Sequence, residues 1–448
     1  MSLNLSPRQL SSRQPSILFT NIPEIDTQIL LHLPDDSLES ACTINKYVAS
    51  LCNENFWHQR FIQTFGVTLG KYKQPEKSYK DIYKEFVKLS LDDQLIKAAI
   101  KGYLPLVKEV LDRGADIHAE EEQALRFAAA NGHLEVVKEL IDRGANININ
   151  IETADTPLSL AASNGFLEVV KLLIDHGADI HMENDDVLRE ASSQGHLKIV
   201  KLLLDRGANI HAENDDALQR AALYGRLKIV KFLLDNGANI HAENDRSLRL
   251  AAMSGHLPVV TLLLDRGADI HAPQGGNDAL IRATKNGKLD VVKLLLDCGA
   301  DIHAKNDDAL RWAANNGYLD VVKLLLDRGA DIHAENDHAL RLAARKGHFD
   351  VVKLLLDRGA NILILKQTIP DLSKKLQIKL NNIIEEYETK KKSLTIYPIA
   401  RSTDTDIDMP SMVELRKIIR RNDSTIKLAG PGITKEYLYN LAKERGLL

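Results

Sequence analysis

The sequence predicts an all-α solenoid: nine helix-turn-helix units stacked in a row, with helical segments at both ends. Two observations carry this reading. The first is near-identical recurrence: residues 185–214 read DDVLREASSQGHLKIVKLLLDRGANIHAEN, and residues 215–244 read DDALQRAALYGRLKIVKFLLDNGANIHAEN. The second is spacing. Gly-Ala pairs begin at Gly114, Gly144, Gly177, Gly207, Gly237, Gly267, Gly299, Gly329 and Gly359, separated by 30, 33, 30, 30, 30, 32, 30 and 30 residues. A fixed period in this range marks a stack in which each unit buries its apolar face only against its neighbours. At 448 residues the chain is too long for one ordinary compact core. A stack escapes that limit, because its core lengthens with each unit.

Residues 307–332 show how one unit should fold. Asp308 is placed to cap a short helix over residues 309–316, accepting from amides that have no partner in the first turn. Ala313 and Ala314 are small enough to let a neighbouring helix approach closely. Gly317 breaks the helix and allows a tight turn. A second helix is expected over residues 319–328, with Asp320, Lys323 and Asp327 on one solvated stripe. The leucines and valines from Leu319 to Leu326 fill the rest and need cover from adjacent units. Gly329 suits the left-handed position after a helix end, and residues 331–336 should cross to the next unit as an extended or turn segment.

This unit resembles the ankyrin repeat. The family pattern is nearly intact at residues 156–179, TPLSLAASNGFLEVVKLLIDHGAD. Elsewhere the Thr-Pro-Leu-His opening becomes Asp-Ala-Leu-Arg, and the unit is three residues short of the usual 33, which puts the family's finger-like hairpin in doubt. Fuller fingers are expected only in the two long units, at residues 148–158 and 271–280. The resemblance implies a protein partner on the concave face, at the two residues that follow each Ala-Ala pair. These candidates are Ile100, Lys101, Leu223, Tyr224, Met253, Lys285, Asn315, Asn316, Arg345 and Lys346. They vary between units whose core positions hardly change. Leu223, Tyr224 and Met253 are apolar or aromatic where most units are polar; such side chains either anchor a partner or pack between units. Trp312, one place before an Ala pair, is read as core.

Seven histidines share one register: His118, His181, His211, His241, His271, His303 and His333. Stacked elements lie roughly 8–10 Å apart, whereas nitrogens on one zinc lie within about 4 Å of each other. A metal ladder is therefore rejected in favour of turn residues, with a pH-sensitive row as the alternative. His133, His196, His256 and His348 take the family's Gly-His turn position. No GxSxG, HExxH, phosphate-binding loop or CxxC occurs, so no catalytic residue, cofactor or metal is expected. The net charge of −4 divides into about +1 for residues 1–90, about −10 for 91–361 and about +5 for 362–448. The array thus lacks a nucleic-acid footprint. Cys42, Cys52 and Cys298 make no disulfide framework and lack metal spacing, which points to a reducing intracellular compartment, cytoplasmic or nuclear. No apolar run is long enough for a membrane span.

The flanks carry further patterns. Residues 1–20 read as a disordered tail. Residues 22–61 suggest three short helices (26–33, 37–44 and 46–52) and a closing aromatic segment. They resemble the F-box, a helical module within the expected domain 21–90 that docks on the Skp-family linker of cullin–RING ubiquitin ligases. The resemblance assigns linker contacts to Ile22, Pro23, Ile29, Leu30, Leu33, Leu38 and Trp57, with Tyr47 in place of a family tryptophan. A plain helical cap over the first repeat is the competing reading. Residues 74–90 form a joining helix, residues 91–362 hold the nine repeats, and residues 363–392 form a capping helix. A linker (393–408) then leads to a small helical module (409–448) that resembles SAP or LEM domains, which implies a DNA or chromatin tether; a solvated basic helix face is the favoured reading of its Arg and Lys residues. An F-box-like segment followed by such units is similar to the ankyrin proteins of giant amoeba-infecting DNA viruses. Together these features imply an adaptor, with a protein target on the repeats and a Skp-family linker at the N-terminal segment. Neither nucleic acid nor membrane is expected at the repeats.

Overall fold

A computed structural model describes residues 23–43, 46–149, 155–272 and 279–395. The chain divides into two compact units, residues 1–380 and 381–448, and the repeats lie in the first. The fold is all-α: every regular element among the described residues is helical. Nine helix pairs form the array, from Leu91–Lys101 with Leu104–Asp112 to Ala334–Lys346 with Phe349–Asp357. First helices pack on the first helices of adjacent repeats, and second helices on second helices.

Burial follows the alternation of small and branched side chains. In the eighth repeat Leu310, Ala313, Ala314, Val321, Val322 and Leu325 are at most 2% exposed. Leu319 is not covered as expected; it is 39% exposed. It opens its helix four residues before the exposed Lys323, on the same stripe, so it shares that residue's solvent.

The crossing between repeats is not extended. In six repeats three successive non-glycine residues are left-handed, as at Glu213, Asn214 and Asp215 with φ of 50, 57 and 62°. Such backbone costs roughly 1–2 kcal/mol per residue. Hydrogen bonds offset the cost. The buried Asp215 carboxylate faces His211 Nδ1 at 3.1 Å and accepts from the Asn239 amide of the next repeat at 2.7 Å. The same 24-residue link joins Asp185 to Asn209, Asp245 to Asp269, Asp307 to Asp331 and Asp337 to Asn361. The short units thus carry a left-handed turn where a finger would stand. It also corrects the capping expectation. Asp307 is the left-handed residue at the helix start, while Asp308 lies inside the helix and holds Arg311 at 3.1 Å. The fuller fingers expected in the two long units fall on residues 150–154 and 273–278, outside the described residues.

Among the described residues five α-helices precede the array: α1 (Pro23–Leu31), α2 (Asp35–Ala41), α3 (Lys46–Leu51), α4 (Glu54–Phe65) and α5 (Tyr79–Phe86). The expected aromatic segment is a full helix, α4, capped by Asn53, whose side chain accepts from the Phe56 amide at 3.1 Å. Its Phe56, Trp57, Phe61 and Phe65 are at most 3% exposed and pack with Tyr79, Tyr83 and Phe86 of α5. Arg60 gathers the module. It donates to the carbonyls of Leu31 and Leu33, to Asp35 at 2.9 Å and to the Tyr83 hydroxyl at 3.1 Å. Cys42 and Cys52 form a disulfide with Cα atoms 5.9 Å apart, because the C-terminal ends of α2 and α3 meet. That corrects the cysteine reading: three cysteines cannot make a framework, but two of them make one bridge. The inference of a reducing compartment therefore no longer stands on cysteine count.

After the last repeat, Pro370 divides what was expected as one helix. Ile362–Thr368 packs on Ala334–Lys346 and buries Leu365, a single turn follows, and Lys374–Thr395 ends the described chain. Residues 1–22 and 396–448, including the tail, linker and small-module readings, lie outside the described residues.

Candidate protein-binding face

The residues after each Ala-Ala pair close the first helix of each repeat, and hydrogen bonds from the following repeat fix them in place. His133 Nε2 meets the Ile100 carbonyl at 2.9 Å, His256 meets that of Leu223 at 3.0 Å, and His348 meets that of Asn315 at 3.0 Å. Arg226 replaces histidine at one repeat and donates to the Ser193 carbonyl at 2.8 Å. Each ring lies over the glycine of the preceding repeat. At Gly225, with φ of 70°, an added Cβ would stand 2.5 Å from the His256 ring, so the contact requires glycine. The family-type histidines therefore clamp one repeat to the next and hold the candidate strip in line.

Along that strip the ten candidates differ in availability. Tyr224 is 52% exposed, and Lys285, Arg345 and Lys346 are also exposed. Ile100, Lys101, Leu223, Met253, Asn315 and Asn316 are half-buried. Asn316 donates to the Lys285 carbonyl at 2.9 Å, and Asn315 donates to Asn316 at 2.9 Å, which joins repeats seven and eight. Trp312 is not core, as expected from its leucine counterparts. Its ring is half-buried with Lys285 Nζ 4.3 Å from the centroid, and its indole donates to Asp308 at 3.2 Å.

The same helices carry ion pairs that the sequence pattern did not single out. Arg189 pairs with Asp186 at 2.9 Å and with Asp216 at 3.4 Å. Arg220 binds Asp216 at 2.7 Å and Glu190 at 2.5 Å. Burial opposes the Arg220 charge, yet its pKa is raised by the hydrogen bond to Asp216 and the charges of Glu190 and Asp186. Arg311 pairs with Asp308 at 3.1 Å and Glu335 at 2.9 Å. The acid-base alternation in residues 186–220 is readable once the helices are stacked, but not before.

Of the linker-contact candidates, Ile22 lies outside the described residues. Pro23 is exposed, and Ile29 and Leu33 are half-buried. Leu30, Leu38 and Trp57 are at most 3% exposed, so they fill the module's interior and shape its surface from beneath. Ile25, 46% exposed on α1, is the apolar surface residue that the motif match overlooked. Tyr47 donates to the fully buried Asp26 at 2.7 Å; burial and this bond push its pKa up to about 12.

The register histidines are exposed rings tied to their own turns. In six of the seven, Nδ1 faces the carboxylate four residues on, from His118 with Glu122 to His333 with Asp337. The hydrogen bond to Glu122 raises the His118 pKa.

A family model for ankyrin repeats (3 copies) matches residues 95–184, 183–244, 243–306 and 280–365. This chain is an ankyrin-repeat protein. The human ASB11 ankyrin repeat domain is a similar solved structure, 28% identical, covering 45% of this chain and 96% of its own, with a TM-score of 0.41. No curated protein matches. Ankyrin arrays serve as protein-protein interaction scaffolds and are typically non-catalytic. No helix among the described residues is long and apolar enough to cross a membrane.

Proposed function

We propose that this ankyrin protein is a non-enzymatic adaptor. Its first-helix face holds a protein target, and its N-terminal module, read as F-box-like, engages the Skp-family linker of a cullin–RING ubiquitin ligase. In this reading residues 21–90 are the ligase-facing domain and residues 91–362 the target-facing one. The likeness to giant-virus ankyrin proteins makes the ligase that of a host cell. The single observation supporting target binding is Tyr224, an aromatic ring 52% exposed on a strip whose backbone is held by repeat-to-repeat hydrogen bonds. A rigid array would set the distance from its bound target to the ligase.

The ligase half is tested with surface residues, because truncating the buried Leu30 would unfold the module as well. Pro23→Ala with Ile25→Asp should abolish co-purification with a Skp-type linker while leaving helical content unchanged. Absence of binding by the unaltered chain in a direct assay rejects it. One observation favours a second reading, in which the module is only a cap. Phe86 of α5 packs on Tyr103 of the first repeat at 6.1 Å, and Lys97 donates to the Glu85 carbonyl at 3.2 Å. A plain cap predicts that deleting residues 1–75 lowers array stability and leaves target affinity unchanged.

A further inference from the structure

The first-helix face ends differently from the way it runs. In the fourth and eighth repeats Arg189 and Arg311 each donate to the carbonyl six residues back, Glu183 at 3.0 Å and Lys305 at 2.8 Å. Each also pairs with two acids, one on its own helix (Asp186 or Asp308) and one from the next repeat (Asp216 or Glu335). In the last repeat Arg341 makes the same backbone bond, to the Glu335 carbonyl at 2.8 Å. Neither acid is present. His338 stands where Asp186 and Asp308 stand and turns to Glu335 at 3.3 Å. The element that follows, Ile362–Thr368, contains no acid. Residues 331–371 all lie within the described chain. Among the described residues no carboxylate comes within 4.0 Å of Arg341 or of Arg345.

Those two arginines share a pocket of about 300 Å³ with Asn336, Gln367 and Asp371, and Ile364 supplies its apolar wall. A lone exposed arginine needs only water. Two guanidiniums four residues apart on one helix repel each other, and an anion between them relieves that repulsion. Asp371 is one charge against two and touches neither, so the pocket keeps a positive balance. The carboxamides of Asn336 and Gln367 add neutral donors, while the Thr368 hydroxyl is already committed to the Ile364 carbonyl at 2.8 Å. Two planar forks and two carboxamides exceed what the two oxygens of a carboxylate can accept; they suit the three oxygens of a phosphoryl group. The volume sits at the low end for small-molecule sites, whose walls are mostly apolar. This polar pocket fits a charged group borne on a longer chain.

We propose that this pocket, between the last repeat and the helix that caps it, binds a phosphorylated serine or threonine of a partner protein, with Arg341 and Arg345 holding the phosphoryl oxygens. The site lies four repeats from Tyr224 and does not use it, so it goes beyond the target reading and can fail separately. A phosphoprotein is favoured over nucleic acid because the array carries about −10, which repels an extended polyanion more than a single local anion.

The test pans the full chain against random peptides with a central phosphoserine, and against matched libraries with serine or glutamate at that place. Enrichment should require the phosphate. Arg345→Ala, at an exposed position, should weaken the enriched phosphopeptides by about tenfold. Arg341→Lys keeps the charge but loses the fork, and should weaken them several-fold. Asp371→Asn removes the competing acid and should tighten them, while Lys323→Glu, exposed on a second helix, leaves them unchanged. Helical content, measured in parallel, verifies that each variant folds. Equal binding of the glutamate peptides overturns the phosphoryl group. Phosphopeptides indifferent to Arg345→Ala and Arg341→Lys, or no enriched phosphopeptide at all, overturn the site. Displacement of the phosphopeptides, mole for mole, by inorganic phosphate or by a single-stranded oligonucleotide overturns the choice of a protein partner.

Discussion

The N-terminal helices and the repeat array solve the same problem, covering short amphipathic helices, in opposite ways. In the module each contact occurs once. Arg60 reaches α1, α2 and α5 from α4, seven aromatic rings interlock, and one disulfide ties α2 to α3. In the array almost no aromatic is buried, the same Ala, Val and Leu contacts recur with each repeat, and the His–Asp–amide link recurs at five aspartates among the described residues. A one-off hub concentrates stability in a few atoms, whereas periodic contacts spread it among neighbours.

That contrast can be broken first at Arg60. Arg60→Met removes the donor to two carbonyls, to Asp35 and to the Tyr83 hydroxyl at once. Although Asp35 keeps its bond from Tyr83 at 2.6 Å, the substitution should destabilise the module by about 3–5 kcal/mol. Amide exchange should accelerate throughout α1–α5 and hardly change beyond the second repeat; uniform acceleration along the chain would erase the distinction. Reducing the Cys42–Cys52 bridge should cost roughly 2–3 kcal/mol, again confined to the module, as judged by denaturant unfolding with and without reductant. Within the array, Asp215→Ala removes the acceptor for Asn239 and should cost roughly 1–3 kcal/mol. Its signature is faster exchange at the Asn239 amide, and Asp215→Asn should recover part of the loss because the amide oxygen still accepts. The smallest effect belongs to His118. Its folded pKa is raised, so its contribution is complete below the unfolded value of about 6.5 and is lost as pH rises through the higher folded value. The melting-temperature gap between the native chain and His118→Gln should therefore close as pH increases.

The array was legible because a repeated pattern states its own neighbours: residues 313, 314, 321, 322 and 325 could be placed in a core without knowing which helix lay alongside. The left-handed turns were not legible. Glu-Asn-Asp reads as extended or as an ordinary turn, and the bond from the amide 24 residues later, which helps three left-handed residues persist, lies outside any local pattern. Arg60 was missed for the same reason, since its partners lie 23 to 29 residues away in sequence. Trp312 was misplaced because leucines share its register, yet that register lies at the edge of the first-helix face, where a larger ring finds Lys285 and water.

The aspartate-to-amide links also govern how such a chain can change in length. Because the thirty-residue cassettes that carry this aspartate bring an acceptor for the next and a donor for the last, such cassettes can be duplicated or excised with each junction re-formed intact. Inserting or losing a single residue within a cassette shifts donor from acceptor and leaves a buried carboxylate facing nothing.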